Sequence, residues 1–235
     1  MLKKSLIAHP QYGNIEITHN PRARRIILRA RPNLLCITLP TLATKKDLEK
    51  ALELYGDKLL AQQQGMEQKA IDGTYRIDTP NFIFELQPHN GDKFLIKQNG
   101  REHILLYPAA TNLHCPRRQA WIRDVIKMRL RSRAKEILPG RLQKLATRHG
   151  FRYSSVSLRD CHTRWGSCSS RGSISLSIYL VLLPDELIDY VLLHELCHTV
   201  EMNHSERFWT LLDKACQCDS RTLRQALKKH KCDIL

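Results

Sequence analysis

Two histidines four residues apart, in the run His194-Glu195-Leu196-Cys197-His198, carry the densest chemistry of this 235-residue chain. On a helix that spacing stacks both imidazoles on one face, so both can reach a single metal ion. Glu195, next to the first histidine, projects beside such an ion, where a carboxylate can take a proton from water. A catalytic zinc keeps one position open and takes three protein ligands. His204 is the leading third ligand. It lies ten residues past His194, and Glu201-Met202-Asn203 gives the chain room to leave the helix and turn back. The expectation is one zinc ion on His194, His198 and His204, with Glu195 as the catalytic carboxylate; satisfied core histidines are the bland alternative.

The helix that must carry these groups starts at Pro184-Asp185-Glu186, with proline at the first position and acids facing the positive end of the dipole. Leu187, Val191, His194 and His198 form one stripe, and Ile188, Leu192, Leu193 and Leu196 make most of the remaining surface apolar, which predicts a buried helix. Upstream, Val156 and Leu158, then Ile174, Leu176 and Ile178, alternate around the turn Ser169-Ser170-Arg171-Gly172. This predicts a hairpin whose second strand leads into the metal helix and holds an extended peptide by main-chain hydrogen bonds. Its Ser173, Ser175 and Ser177 mark the less buried face. Arg164-Trp165-Gly166 lies inside this hairpin. Two readings stand open: Arg164 lines the pocket and steadies developing negative charge, or Trp165 is core and Arg164 its salt-bridged neighbour.

The first 110 residues read as mostly β, with short apolar stretches at Ile15/Ile17, Ile26/Leu28/Ala30 and Leu34–Leu39. One amphipathic helix is expected over about 44–64, capped by Thr44, with Leu48, Ala51, Leu52, Tyr55 and Leu59 on one side and Gly56 weakening it. Phe82–Gln87, Lys93–Gln98 and Glu102–Tyr107, punctuated by Asn90-Gly91 and Asn99-Gly100, predict a three-stranded meander. At Pro116 the composition shifts. Residues 116–152 hold twelve Lys and Arg against two acids, a surplus of ten out of the formal +15. Ile122, Ile126, Leu130, Ala134 and Ile137 keep helical spacing, so one long helix with a cationic outer side should end at Pro139-Gly140, with a short second helix stopped by Gly150. The basic stretch 117–135 invites non-specific contact with a polyanion or nucleic acid; a solvated basic face is the plain alternative.

No apolar run is long enough to span a bilayer. Met1-Leu2-Lys3-Lys4-Ser5-Leu6-Ile7 lacks the sustained apolar stretch of a secretory signal, and the eight cysteines are scattered without a C-x-x-C pair. Reduced thiols in a cytoplasmic protein are expected, those of Cys216, Cys218 and Cys232 included.

Arg164-Trp-Gly-Ser-Cys168, the Ile174–Pro184 link, the run Tyr190–His198 and Asn203-His-Ser-x-x-Phe-Trp209 stand in the order and spacing of the YgjP-like metallopeptidases, which this chain resembles from about Cys115 to Cys216. The resemblance implies His194, His198 and His204 as zinc ligands and Glu195 as catalytic carboxylate. It also implies an α+β fold: a β-rich region with one helix over 1–110, then a zincin-like core of helices and a small sheet over 115–235. The spacing of His204 matches the metzincins as well, with Glu201 in place of their turn glycine, so Asn203 is expected in the left-handed conformation, and Ser205 caps the next helix. The activity expected is zinc-dependent hydrolysis of a peptide or protein. Two alternatives are a nucleoside triphosphate (UTP-type) pyrophosphatase, although the chain has no Gly-rich phosphate loop, and a nucleic-acid-associated protease.

Overall fold

A computed structural model describes residues 3–31, 34–64 and 70–230. The architecture is α+β: five α-helices and three small mixed sheets among the described residues. The chain divides into two compact units, Met1–Lys69 and Ala70–Leu235.

In the first unit β1 (Lys3–His9), β2 (Gly13–His19), β3 (Ile27–Arg31) and β4 (Leu34–Leu39) form a sheet in the order β1-β2-β4-β3, with β2 and β4 parallel. Helix α1 (Lys45–Gln64) covers it, starting in a capping arrangement: the Asp47 amide donates to Thr44 Oγ1, and Thr44 returns its own amide and hydroxyl to the Asp47 carboxylate. Leu48, Leu52 and Leu59 are buried against Ile15, Ile17, Leu35 and Ile37, whereas Tyr55 stays exposed. The helix runs through Gly56, which has a packing reason to be there. A Cβ there would lie 2.5 Å from the ring of Tyr12.

The second unit opens with a sheet of the same strand order and senses. β5 (Arg76–Asp78), β6 (Ile83–His89), β7 (Leu95–Asn99) and β8 (Glu102–Pro108) run β5-β6-β8-β7, with β6 and β8 parallel. The expected meander is therefore corrected. Only Asn99-Gly100 makes a tight hairpin, with Gly100 at φ +56. At Asn90-Gly91 the His89 ring closes the turn instead, accepting from the Gly91 amide and donating to the Lys93 carbonyl, and the chain crosses over to leave β7 outside β8. Phe82, Phe84, Leu86 and Leu105 join the hydrophobic core of the helices that follow, so this sheet lies in the unit that holds His194 and His198.

Helix α2 (Pro116–His149) runs unbroken through Pro139, where a stop and a second helix were expected. Ile122, Ile126, Leu130, Ala134, Leu138, Leu142 and Leu145 make one buried stripe across the proline. The packing of that stripe outweighs a missing amide. Gly150, at φ +71, ends the helix by donating to the Ala146 and Thr147 carbonyls. Much of the helix's positive charge is engaged inside the unit. Lys127 pairs with Asp160, Arg129 donates to His103 and Gln98, and Arg131 to the Leu158 carbonyl. Arg133 donates to the Asn81 carbonyl and Glu136, while Arg141 grips Asp185 and Asp189. These contacts tie α2 to the elements around it.

The third sheet is small: β9 (Ser155–Arg159), β10 (Gly166–Cys168) and β11 (Ser173–Ser177), in the order β10-β11-β9. The Ser169–Gly172 turn is where it was expected, but the arm it joins to β11 is β10; β9 lies parallel on the far side of β11. With both its edges occupied, β11 has no main-chain groups left for a peptide, which corrects that expectation. Ser155 and Ser157 hydrogen-bond across to Ser173 and Ser175, and Ser177 is buried. A 3₁₀ turn over Ile178–Leu182 leads to α3 (Asp185–Cys197), followed by α4 (Glu206–Cys216) and α5 (Ser220–Lys228). Among the described residues no helix is long and apolar enough to cross a membrane. Cys216 ends α4 and Cys218 lies in the turn after it, both free thiols, while Cys232 falls outside the described residues.

Candidate metal centre

Pro184 occupies the N-cap of α3, with Asp185 and Glu186 in the first turn, where their charge favours the helix dipole. Leu187, Ile188, Val191, Leu192 and Leu196 bury the helix on nearly all sides. His198 is its C-cap residue. Beyond it the Thr199, Val200 and Glu201 amides donate back to the Leu196 and Cys197 carbonyls, and the chain reverses through Asn203 to His204. No left-handed residue is needed: among the described residues only Gln217, at the end of α4, is a non-glycine with positive φ, so the role expected of Asn203 is not used. Ser205 stands at the N-cap of α4, where its side chain makes no capping hydrogen bond.

The three imidazoles converge. His194 Nε2 lies 3.2 Å from His198 Nε2 and 3.2 Å from His204 Nε2, and the donor atoms of all three lie within 4.8 Å of one another. A tetrahedral zinc with Zn–N bonds of about 2.0–2.1 Å separates its nitrogens by about 3.3 Å, close to the two separations from His194, so a three-imidazole set of this kind could take such an ion. Orientation is fixed from behind. His198 Nδ1 donates to the Glu201 carbonyl at 3.0 Å, which leaves the Nε2 lone pair facing the other two rings. Burial, followed by the charges of His198 and His204, pushes the His194 pKa down to about 3; His204 is lowered for the same leading reason. Neutral imidazoles are what a cation requires.

Phe208 is the floor of this cluster. Fully buried, it lies 5.0, 4.6 and 4.7 Å from the rings of His194, His198 and His204. Its neighbour Trp209 stacks beside His204 and is covered by the guanidinium groups of Arg221 and Arg224 from α5. Phe208 reads in the sequence as an ordinary inward residue of α4, although its place four residues after His204 is the signal that could have linked them.

Glu195 is 5% exposed, and its Oε2 is buried without a hydrogen-bond partner. Burial pushes its pKa up to about 8, with the Arg164 charge pulling the other way. The surface it rests on is Gly166 of β10: a Cβ there would meet Glu195 Oε1 at 2.6 Å and Cγ at 2.7 Å. This contact is invisible in the sequence, because it depends on β10 being brought against α3. Trp165 packs against the core, and Arg164 is exposed in a pocket wall with its charge felt at Glu195.

No curated protein matches the chain. A solved structure described as the metallopeptidase zymogen of Pyrococcus abyssi abylysin is 22% identical, with a TM-score of 0.36, over 40% of this chain and 94% of that one, too slight a likeness to bear on the site. The family described as YgjP-like, metallopeptidase domain, matches residues 24–230, which take in the histidine cluster, Glu195 and Gly166. The chain belongs to that family of metallopeptidases.

Proposed function

We propose that this metallopeptidase is a zinc enzyme in which His194, His198 and His204 hold one zinc ion and Glu195 is the general base that cleaves peptide or protein substrates. The observation that carries the reading is the convergence of three Nε2 atoms beside a buried carboxyl group with an unpartnered oxygen. Zinc with three protein ligands and an open position supplies Lewis acidity and lowers the pKa of water toward neutrality. The chain's own groups do the rest. Glu195, held against Gly166, takes a proton from the attacking water and passes it to the leaving amine. The Arg164 charge favours its carboxylate form, against the burial that favours the acid. Arg164 offsets negative charge developing on the substrate oxygen.

Family membership supports a peptide or protein substrate. The nucleoside triphosphate and nucleic-acid alternatives depend on an uncommitted cationic face of α2, and Lys127, Arg129, Arg131, Arg133 and Arg141 are engaged within the unit.

The test compares wild type, Glu195→Gln and His198→Ala on a denatured protein substrate, with bound metal measured by mass spectrometry. Glu195→Gln should keep zinc and lose on the order of 10²–10⁴-fold in kcat, whereas His198→Ala should lose the metal as well. Undiminished turnover by Glu195→Gln removes its assigned role. A zinc-loaded wild type that hydrolyses UTP or ATP but no peptide removes the peptidase reading.

A further inference from the structure

On the polar face of the β9–β11 sheet lies a pocket of about 280 Å³ whose walls include Arg159, Arg164, Gly166, Ser167, Ser175 and Ser177. Strand register explains its make-up. Arg159 pairs with Ser177 and Ser167 with Ser175, so these four share one face, while Gly166 and Leu176 belong to the other. Two guanidinium groups, small hydroxyl side chains, the Cys161 thiol and Leu176 line it, and no carboxylate does. The nearest carboxylate in sequence, Asp160, is held elsewhere by Lys127, His162 and the Tyr179 hydroxyl. The loop that brings Arg164 over the strand is pinned: Ser177 Oγ donates to the Cys161 carbonyl and the Ser177 amide to the Trp165 carbonyl, both at 2.8 Å. The pocket is therefore preorganised for an oxyanion.

Its position ties it to the proposed active centre. Gly166 belongs to the pocket wall on one side and touches the Glu195 side chain on the other. One glycine separates the two. β10 is also an end strand of its sheet, and a chain extended along it presents successive side chains to opposite faces. A residue adjacent to the one at Glu195 would enter the arginine face.

We propose that this pocket takes a carboxylate side chain of the substrate peptide, next to the bond being cut. The inference rests on the peptidase reading above. The volume stands at the lower end of the roughly 300–1,000 Å³ typical of ligand sites and has room for an acidic side chain. Arg159 and Arg164 supply charge-assisted hydrogen bonds to the carboxylate, so the enzyme prefers Asp or Glu over Asn or Gln at that substrate position.

The experiment uses labelled peptide pairs that differ only by Glu against Gln beside the scissile bond. Binding is read by fluorescence anisotropy on full-length Glu195→Gln protein, and kcat/KM on the wild type. The acidic peptide should bind on the order of tenfold tighter, the preference should sit in KM, and Arg159→Ala should bring it close to one. Arg159→Glu should reverse it toward a Lys-containing peptide. Equal binding of both peptides, or a preference that survives Arg159→Ala and Arg159→Glu, overturns the proposal. So does displacement of the probe by inorganic pyrophosphate with no acidic preference among peptides, which would make the pocket a phosphate site. Because binding is read without turnover, a wild type that cleaves no peptide at all sinks the peptidase reading while the anisotropy still decides the pocket.

Discussion

Replacing Gly166 by alanine should separate the proposed base, Glu195, from the proposed metal ligands. A Cβ at that position would lie 2.6 Å from Glu195 Oε1, 2.7 Å from Cγ and 2.9 Å from Cδ. Optimal non-bonded carbon separations are about 3.5–4.0 Å, so all three contacts are too short by close to an ångström. Glu195 has little room to yield, because it is buried in the last turn of α3 at 5% exposure, and three of its atoms are struck, not only its tip. Either the carboxyl rotates away or β10 retreats from α3. Overpacking of this kind costs about 1–3 kcal/mol, and a reacting group misplaced by about 1 Å loses on the order of 10²-fold in rate. The histidines are not touched.

Gly166→Ala should therefore bind zinc in the same amount as wild type, melt a few degrees lower, and show kcat reduced on the order of 10²-fold. A labelled-peptide assay with metal analysis and thermal unfolding on the same samples reads all three. Trimming the obstructing side chain gives an internal control: Gly166→Ala with Glu195→Ala should recover stability relative to Gly166→Ala alone, a coupling that distant sites would not show. Wild-type turnover by Gly166→Ala, or loss of activity only in step with loss of zinc, refutes the reasoning.

Phe208→Ala removes the ring under all three imidazoles. It should cost about 3–5 kcal/mol in stability and weaken zinc roughly 10–100-fold, measured by competition with a chromophoric chelator; unchanged affinity would deny Phe208 its supporting role. His103 is buried against Phe82 and Arg129, and burial first, then the Arg129 charge, lowers its pKa from 6.5 to about 4. The unfolded chain takes up that proton near 6.5 and the native state only near 4. Stability is thus full above 6.5 and declines as pH falls toward 4, by about 3 kcal/mol in all. His103→Gln should remove one proton from the slope of unfolding free energy against pH over that window, and an unaltered slope would contradict the assignment. Pro139→Ala restores an amide inside α2 and should raise stability by up to about 3 kcal/mol in denaturant titration; a loss would show that the proline is needed there.

What could be read from the sequence follows the range of the interaction. The histidine cluster was legible because His194, Glu195 and His198 are placed by one turn of helix, and His204 because only a short reversal separates it from them. The capped helix α1 and the hairpin at Asn99-Gly100 rest on equally local signals. Strand partnership does not. Apolar alternation in β6, β8, β9 and β11 says which side chains face inward, but nothing in it distinguishes an adjacent hairpin from a parallel partner across an intervening strand. Both four-stranded sheets use that parallel arrangement, and so does β9 with β11. Pro139 misled for the converse reason: a local stop signal was overruled by a buried stripe that continues through it.

The same division runs through the site. Residues supplied by α3 and the turn after it form the histidine cluster that could hold a metal ion, and these are local. The wall behind Glu195 and the arginine pocket exist only because the chain returns as β10 beside β11 and packs on α3. A motif of the form H-E-x-x-H can therefore announce the proposed metal ligands and base, while the proposed choice of substrate rests on Gly166, Arg159 and Arg164, whose neighbours are decided by sheet pairing. On this view, transplanting the histidine motif alone would carry metal binding without carrying the base geometry or the preference for an acidic side chain.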